Sequence, residues 1–158
     1  MNRRGRVQIL LVEDNPDDAE LAILALNDAG IANEVHVVGD GVEALAFLRC
    51  EGKYSNRNPY EPPNVVLLDL KLPKVNGLEV LAQIRGDPRT QQVPVVLLTS
   101  SQEQSDVAKG YKNGANAYIV KPIDFKQFSE AIRHIGYFWL VLNHPPPVVD
   151  PNARRDTN

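Results

Sequence analysis

Five short apolar runs, each followed by a stretch with helical spacing, constrain the fold of this chain more than any other feature. The runs lie at residues 7–12, 34–38, 65–69, 94–99 and 117–120. Five strand–helix units in succession predict a parallel sheet with helices on both faces. The first, third and fourth runs are almost wholly apolar, so we place them inside the sheet and the mixed second and fifth runs at its edges. With right-handed crossovers, this placement gives a doubly wound α/β fold with strand order 2-1-3-4-5.

Polar residues stand at the ends of four of these runs. They are Glu13 and Asp14 after the first run, Asp69 at the end of the third, Thr99 at the end of the fourth and Lys121 after the fifth. Because parallel strands present their carboxyl ends at one edge of the sheet, we expect these side chains to converge there. Taken singly, they could be helix caps, a loop acid and a strand end. Their combination at one sheet edge indicates a functional site.

The charges of these residues predict a metal-dependent reaction with phosphate. Three carboxylates in one pocket would repel one another unless a cation joined them, and Mg²⁺ or Mn²⁺ prefers oxygen ligands. Three acids, one divalent cation and Lys121 have a formal charge of zero. In such a site Asp69, at the end of a central strand, can attack phosphorus and form an aspartyl phosphate. The Lys121 amine and the Thr99 hydroxyl would then stabilise the phosphoryl oxygens.

The segments that carry these residues resemble the receiver domain of two-component response regulators. They read LLVEDNPDD at 10–18, VVLLDLKLPKVNG at 65–77, VPVVLLTS at 93–100 and AYIVKP at 117–122. The resemblance covers residues 8–136 and implies the flavodoxin-like (βα)5 fold. It also implies that Asp69 accepts a phosphoryl group from a phosphohistidine on a partner kinase.

The same resemblance implies roles for individual residues. The implied metal ligands are Glu13, Asp14, Asp69 and the backbone carbonyl of Lys71. Thr99 and Lys121 would contact the phosphoryl group, and Thr99 and Tyr118 would form a switch in which Thr99 moves toward that group while Tyr118 turns inward. A cis peptide bond is implied between Lys121 and Pro122, which the chemistry of proline permits at modest cost.

Composition favours a cytoplasmic protein that binds neither DNA nor a membrane. The 158 residues carry a net charge of −3, which provides no basic surface for nucleic acid. No apolar stretch approaches the ~20 residues of a membrane span. A single cysteine, Cys50, excludes an internal disulfide framework and fits a reducing compartment. We predict that Cys50 is a buried filler near the end of the second helix.

The chain is expected to form one receiver domain at residues 1–143, with a polar insertion at 51–63 and a flexible tail at 144–158. Neither extra segment can hold an output module, so we expect signalling through protein contacts. The insertion, the missing output domain and the sequence GYFWL at 136–140 resemble the small response regulators that partner cyanobacterial phytochromes. This narrower resemblance implies a phytochrome-type histidine kinase as the partner.

A helix is predicted over residues 124–142. Its inward stripe is Phe125, Phe128, Ile132, Ile135, Trp139 and Leu142. Near its end, Tyr137, Phe138, Leu140 and Val141 add apolar surface around most of the helix, and we predict the interface at Tyr137, Phe138, Trp139 and Leu140. Because exposed apolar patches usually mark association sites, we predict a homodimer through the fourth and fifth helical units. The simpler alternative is that the last turn folds back onto its own domain.

We expect a phosphoacceptor that catalyses only its own phosphorylation and dephosphorylation, and three other functions fit the sequence less well. A magnesium-dependent phosphatase with an aspartate nucleophile would need a second acid two residues after Asp69, where this chain has Lys71. A nucleotide-binding module would need a glycine-rich cradle, which the first turn lacks. A receiver fold used only for binding would not need the five site residues, which are all present.

Overall fold

A five-stranded parallel sheet forms the centre of the structure, a computed structural model that describes residues 8–28, 34–100, 104–121 and 124–138. The strands are β1 (Gln8–Val12), β2 (Glu34–Val38), β3 (Val65–Leu68), β4 (Val95–Thr99) and β5 (Ala117–Val120). The helices are α1 (Pro16–Asp28), α2 (Gly41–Arg49), α3 (Gly77–Gly86), α4 (Gln104–Lys112) and α5 (Phe125–Tyr137). Each of the five predicted strands is present, with bounds that agree to within one residue wherever both are described.

The strand order is β2-β1-β3-β4-β5 with all neighbours parallel, which confirms the predicted topology. Of the three inner strands, β3 and β4 are buried along their whole length, and β1 is buried except at its first residue. The edge strands β2 and β5 are largely half-buried. This contrast explains the sequence pattern, because an inner strand covered on both faces needs an apolar side chain at every position.

The sheet separates two apolar layers. Ile9 and Leu11 of β1 face the layer covered by α1 and α5, whereas Leu10 and Val12 face the layer covered by α2 and α3. Helix α1 buries Ala19, Ala22, Ala25 and Leu26, and α5 buries Phe128, Ile132 and Ile135. These three residues confirm the middle of the predicted α5 stripe. The Phe125 side chain and residues 139–158, with Trp139, Leu142 and the predicted tail, lie outside the described part.

Side-chain caps fix the starts of the helices. Asn15 Oδ1 accepts hydrogen bonds from the backbone N–H groups of Asp17, at 2.9 Å, and Asp18, at 3.3 Å. Pro16 occupies the first helical position, where its missing N–H is of no consequence. This cap turns the chain directly from the end of β1 into α1.

The segment at 51–63 is packed against α2 rather than being only a polar connection. A 3₁₀ helix, Gly52–Tyr54, opens it, and the Tyr54 hydroxyl donates a hydrogen bond to Glu43 Oε1 at 2.7 Å. The Arg57 guanidinium lies 3.6 Å from the centre of the Phe47 ring and donates to the Phe47 carbonyl. Cys50 ends α2 with a left-handed φ of 57° and is half-buried, so the prediction of a buried filler was wrong.

None of the helices within the described ranges has the length and apolar character that crossing a membrane requires.

Arg85 forms hydrogen bonds that connect several chain segments at the edge of the sheet opposite the polar strand ends. Its Nε donates to the carbonyl of Gly114 at 2.9 Å, and Nη1 donates to the carbonyls of Val93 and Gln91 at 2.6 and 3.1 Å. Its Nη2 donates to Asn116 Oδ1 at 2.8 Å. Gly114 has a φ of +98°, and a Cβ there would lie 2.9 Å from Arg85 Cγ. The guanidinium therefore joins the end of α3 to the turns that lead into β4 and β5.

We expect Arg85→Ala to lower the free energy of unfolding by about 2–3 kcal/mol, because it leaves several partly buried carbonyls without a donor. The matched control is Arg89→Ala, since Arg89 pairs with Asp87 at the surface and should contribute less than about 1 kcal/mol. Urea unfolding followed by circular dichroism measures both. Equal losses for the two variants would contradict the role assigned to Arg85.

Candidate functional site

The structure brings together polar side chains from the ends of β1, β3 and β5. Carboxylate oxygens of Glu13, Asp14 and Asp69 all lie within 4.8 Å of one another. The Lys121 ammonium donates to Asp69 Oδ2 at 3.0 Å and makes a short hydrogen bond to Glu13 Oε2. Glu13 is 6% exposed and Asp69 is 9% exposed, whereas Asp14 faces solvent. The site therefore combines the two largely buried carboxylates of Glu13 and Asp69 with the solvent-exposed carboxylate of Asp14.

Backbone hydrogen bonds that continue the sheet ladder hold these residues in place. The Glu13 N–H donates to the Val38 carbonyl at 3.0 Å, and the Asp69 N–H donates to the Val12 carbonyl at 3.2 Å. The Lys121 N–H donates to the carbonyl of Thr99 at 2.7 Å. Each of these residues lies one step beyond the end of a strand, so its backbone N–H continues the hydrogen-bonding pattern of the sheet.

The loop after β3 is shaped closely around Asp69. Its carboxylate Oδ1 accepts the N–H of Lys71 at 3.1 Å, and the Gly77 N–H donates to the carbonyl of Leu70 at 2.9 Å. A Cβ at Gly77 would lie 2.2 Å from the Asp69 carbonyl oxygen, so only glycine permits the start of α3 to approach so closely. Lys71, predicted as a ligand through its carbonyl, is therefore directly adjacent to the carboxylates.

A fourth acid, Asp18, belongs to this cluster and was missed in the sequence. Its Oδ2 lies 3.3 Å from Lys121 Nζ, so the three N–H donors of the ammonium have three carboxylate partners, on Glu13, Asp18 and Asp69. The formal charge is −3 without a cation and −1 with a divalent one, rather than the predicted zero. The available signal was the Asn15 cap, which places the first turn of α1 beside the strand ends.

Burial and pairing shift the pKa values of the two most enclosed groups. Burial raises the pKa of Glu13 to about 6, although the hydrogen bond from Lys121 lowers it. Burial lowers the pKa of Lys121, but its hydrogen bonds to Glu13 and Asp69 outweigh that effect and leave the pKa above its usual value. Lys121 therefore remains a cation at physiological pH, whereas Glu13 can take up a proton in mild acid.

The donor set fits a hard divalent cation. Within the described ranges, Glu13, Asp14 and Asp69 are the one group of three or more His, Cys, Asp or Glu residues close enough to share an ion. All three offer carboxylate oxygens, which suit Mg²⁺ or Mn²⁺ better than soft metals. The exposure of Asp14 leaves room for water or substrate oxygens in the coordination sphere.

The structure describes some of the other predicted residues. Thr99 is fully buried at the end of β4, and Tyr118 on β5 is partly buried against the layer that contains Leu97. The predicted cis bond involves Pro122, which lies outside the described residues. Of the predicted dimer residues, Tyr137 and Phe138 are about half exposed, and Trp139 and Leu140 lie outside the described part.

The raised pKa of Glu13 predicts how stability depends on pH. Between about pH 4.5 and 6 the folded state holds a proton on Glu13 more strongly than the unfolded state does. Without divalent cations, the free energy of unfolding should therefore fall by about 2 kcal/mol as the pH rises from 4.5 to 7. Urea unfolding in the presence of a chelator measures this. Glu13→Gln should remove that fall, and Glu20→Gln, on the exposed face of α1, should keep it; equal pH slopes in all three proteins would contradict the assignment.

Comparison with known proteins identifies the family. Residues 9–133 match the response regulator receiver domain family. The response regulator Rcp1 of Synechocystis sp. is 40% identical over 132 residues, which cover 84% of this chain and 88% of Rcp1. The solved Mn²⁺-bound form of Rcp1 has a TM-score of 0.81 at 38% identity and covers 89% of this chain and 99% of its own.

Two further solved structures are phytochrome response regulators. The phosphorylated cyanobacterial protein RcpA has a TM-score of 0.84 at 40% identity, covering 90% of this chain and 99% of its own. The bacteriophytochrome response regulator RtBRR is 56% identical with a TM-score of 0.71, covering 90% of this chain and 85% of its own. With a family match over most of its length and these relatives, this chain belongs to the response regulator receiver domain family of two-component signalling.

Proposed function

We propose that this protein is a phosphoacceptor switch in which Asp69 receives a phosphoryl group from a phosphohistidine of a histidine kinase. The position of the Asp69 carboxylate supports this proposal most directly. It lies among the carboxylate oxygens of Glu13 and Asp14, and 3.0 Å from the Lys121 ammonium. A carboxylate held between a cation-binding set and an amine is an activated nucleophile for phosphorus. In the reaction the P–N bond to the donor imidazole breaks and a P–O bond to Asp69 forms.

A divalent cation, Mg²⁺ or Mn²⁺, would be held by Glu13, Asp14, Asp69 and the Lys71 carbonyl, and it would neutralise charge on the transferred phosphoryl group. The Mn²⁺-bound structure of the relative Rcp1 supports this cofactor class. The chain itself supplies orientation, since the Lys71 N–H and the Lys121 ammonium hold the two carboxylate oxygens of Asp69. Lys121 would pass from the Asp69 carboxylate to a phosphoryl oxygen without losing its proton.

Phosphorylation would affect the rest of the protein through the negative charge that it adds to the site. A phosphoryl group adds about −1.5 to −2 charges to a cluster that is already negative. We expect the Thr99 hydroxyl to donate to the new oxygens and Tyr118 to turn inward in response. The partner kinase would be of the phytochrome type, because the relatives RcpA and RtBRR are phytochrome response regulators. The output would pass through protein contacts.

Incubation with a small phosphodonor and Mg²⁺ tests the central proposal. Intact-mass measurement should show one added phosphoryl group on the wild type and none on Asp69→Asn, which keeps the shape but loses the nucleophile. Asp17→Asn, an exposed neighbour on α1, should be modified like the wild type, and a chelator should abolish the modification. An unmodified wild type, or a modified Asp69→Asn, would overturn the proposal.

We further propose a homodimer through α4, β5 and α5. Helix α5 turns Ile132 and Ile135 inward, while Tyr137 and Phe138 at its end are 51% and 50% exposed. Tyr111 on α4 is also 51% exposed. Trp139 and Leu140, the other two predicted dimer residues, lie outside the described residues. Aromatic side chains of this kind are enriched in protein interfaces.

Light scattering tests the dimer. Replacing Tyr137 and Phe138 together by Ser should convert the dimer to monomers at micromolar concentration, because it removes two aromatic anchors. A chain truncated after Ile135 should behave in the same way. Leu24→Ser on α1, also exposed, is the matched control and should remain dimeric. A monomeric wild type, or a double variant with the mass of the wild type, would exclude this interface.

A further inference from the structure

Helix α4 is attached to the sheet through a glycine. Among the described side-chain positions of α4, residues 105–112, Gly110 alone is buried, and Val107 is only half-buried. The other four helices each bury three or more residues, mostly large apolar side chains or alanines. The seating of α4 therefore depends on what touches Gly110.

Two side chains lie against the bare backbone at Gly110. A Cβ built there would be 2.7 Å from Leu97 Cδ1 and 3.2 Å from Cδ2 of the Tyr118 ring. Leu97 is fully buried and has little room to withdraw. The missing side chain thus leaves a notch in α4, and we use this word for the space bounded by Gly110, Leu97 and Tyr118.

Helix stability gives no reason for a glycine at this position. Glycine inside a helix is less favourable than alanine by about 1 kcal/mol, and α4 has only nine residues. The φ of Gly110 lies outside the left-handed region, unlike that of Gly114. Close approach is the remaining reason for a glycine, because it lets the ring of Tyr118 and the end of Leu97 touch the helix itself.

We propose that Gly110 is a positioning residue for Tyr118: its notch in α4 seats the Tyr118 ring, so the orientation of the ring and the seating of α4 change together. This inference rests on the proposed function, in which Tyr118 turns when Asp69 is phosphorylated. The ring of Tyr118 lies against α4 at Gly110, so its departure would remove one of the two side-chain contacts described there, the other being that of Leu97. Conversely, a methyl group in the notch would displace the Tyr118 ring and thereby change the affinity of the site at Asp69 for a phosphoryl group.

The test is a double-mutant cycle with beryllium fluoride and Mg²⁺ as the phosphoryl mimic, measured by calorimetry on the full chain. Gly110→Ala should change the affinity for the mimic at least threefold. A lower affinity would mean that the Tyr118 ring occupies the notch when the mimic is bound, and a higher affinity would mean that it does so when the mimic is absent. In a Tyr118→Ala background the same substitution should change the affinity less than threefold, because no ring remains to be displaced. Gly86→Ala, where an added Cβ meets nothing within 4 Å, should leave the affinity unchanged.

An affinity change below threefold in Gly110→Ala, or an equal change in the Tyr118→Ala background, would overturn the inference. If Gly110→Ala does not fold, Leu97→Val removes the closest atom, and Leu97→Val with and without Gly110→Ala repeats the comparison. Failure of the proposed function is distinct, because then the wild type itself would not bind the mimic, or Asp69→Asn would bind it equally well.

Discussion

The ion cluster around the Lys121 ammonium is the interaction on which the rest of the site depends. Glu13 and Asp69 are nearly buried, and buried carboxylates without a partner are strongly destabilising. One ammonium from β5 satisfies acids from β1, β3 and α1 at once. It therefore fixes the edge strand and the first helix to the central strands, and it holds the Asp69 carboxylate in one orientation. The same arrangement that stabilises the sheet edge keeps a nucleophile next to a cation.

A second cation, Arg85, performs a similar structural task at the opposite edge of the sheet. It reaches the carbonyl of Gly114 and the side chain of Asn116, immediately before β5 begins. Strand β5 is thus tied at one end by Arg85 and at the other by Lys121. Between these ties, Tyr118 and the glycine-seated α4 have the weakest packing described around the sheet. A structural change that starts at Lys121 would therefore displace Tyr118 and α4 more easily than the better packed elements around the sheet.

The sequence predicted the fold and the convergence of Glu13, Asp14, Asp69 and Lys121, because both follow from local patterns. Continuous apolar runs identify inner strands, and the residue after each run must lie at the shared sheet edge. Asp18 was not predicted because its partnership with Lys121 joins positions 103 residues apart and depends on how α1 leaves β1. The packing of Arg57 on Phe47 was equally invisible, since a polar segment with prolines is typical of a loop. Gly110 was overlooked because a glycine within a helical stretch indicates only a weaker helix.

Magnitudes explain why a change at Asp69 would reach α4 rather than α1. One added charge about 4 Å from Lys121 or a carboxylate is worth about 4 kcal/mol at the effective dielectric of a protein surface. Helix α1 resists a change of that size, because it buries Ala19, Ala22, Ala25 and Leu26 in the core and is capped by Asn15. Among the described side-chain positions of α4, Gly110 is the one that is buried, and burying one aromatic side chain is worth about 1.5–3 kcal/mol. The charge added by a phosphoryl group is therefore comparable in energy to the burial of one aromatic side chain at α4, whereas α1 is held by a larger set of buried side chains.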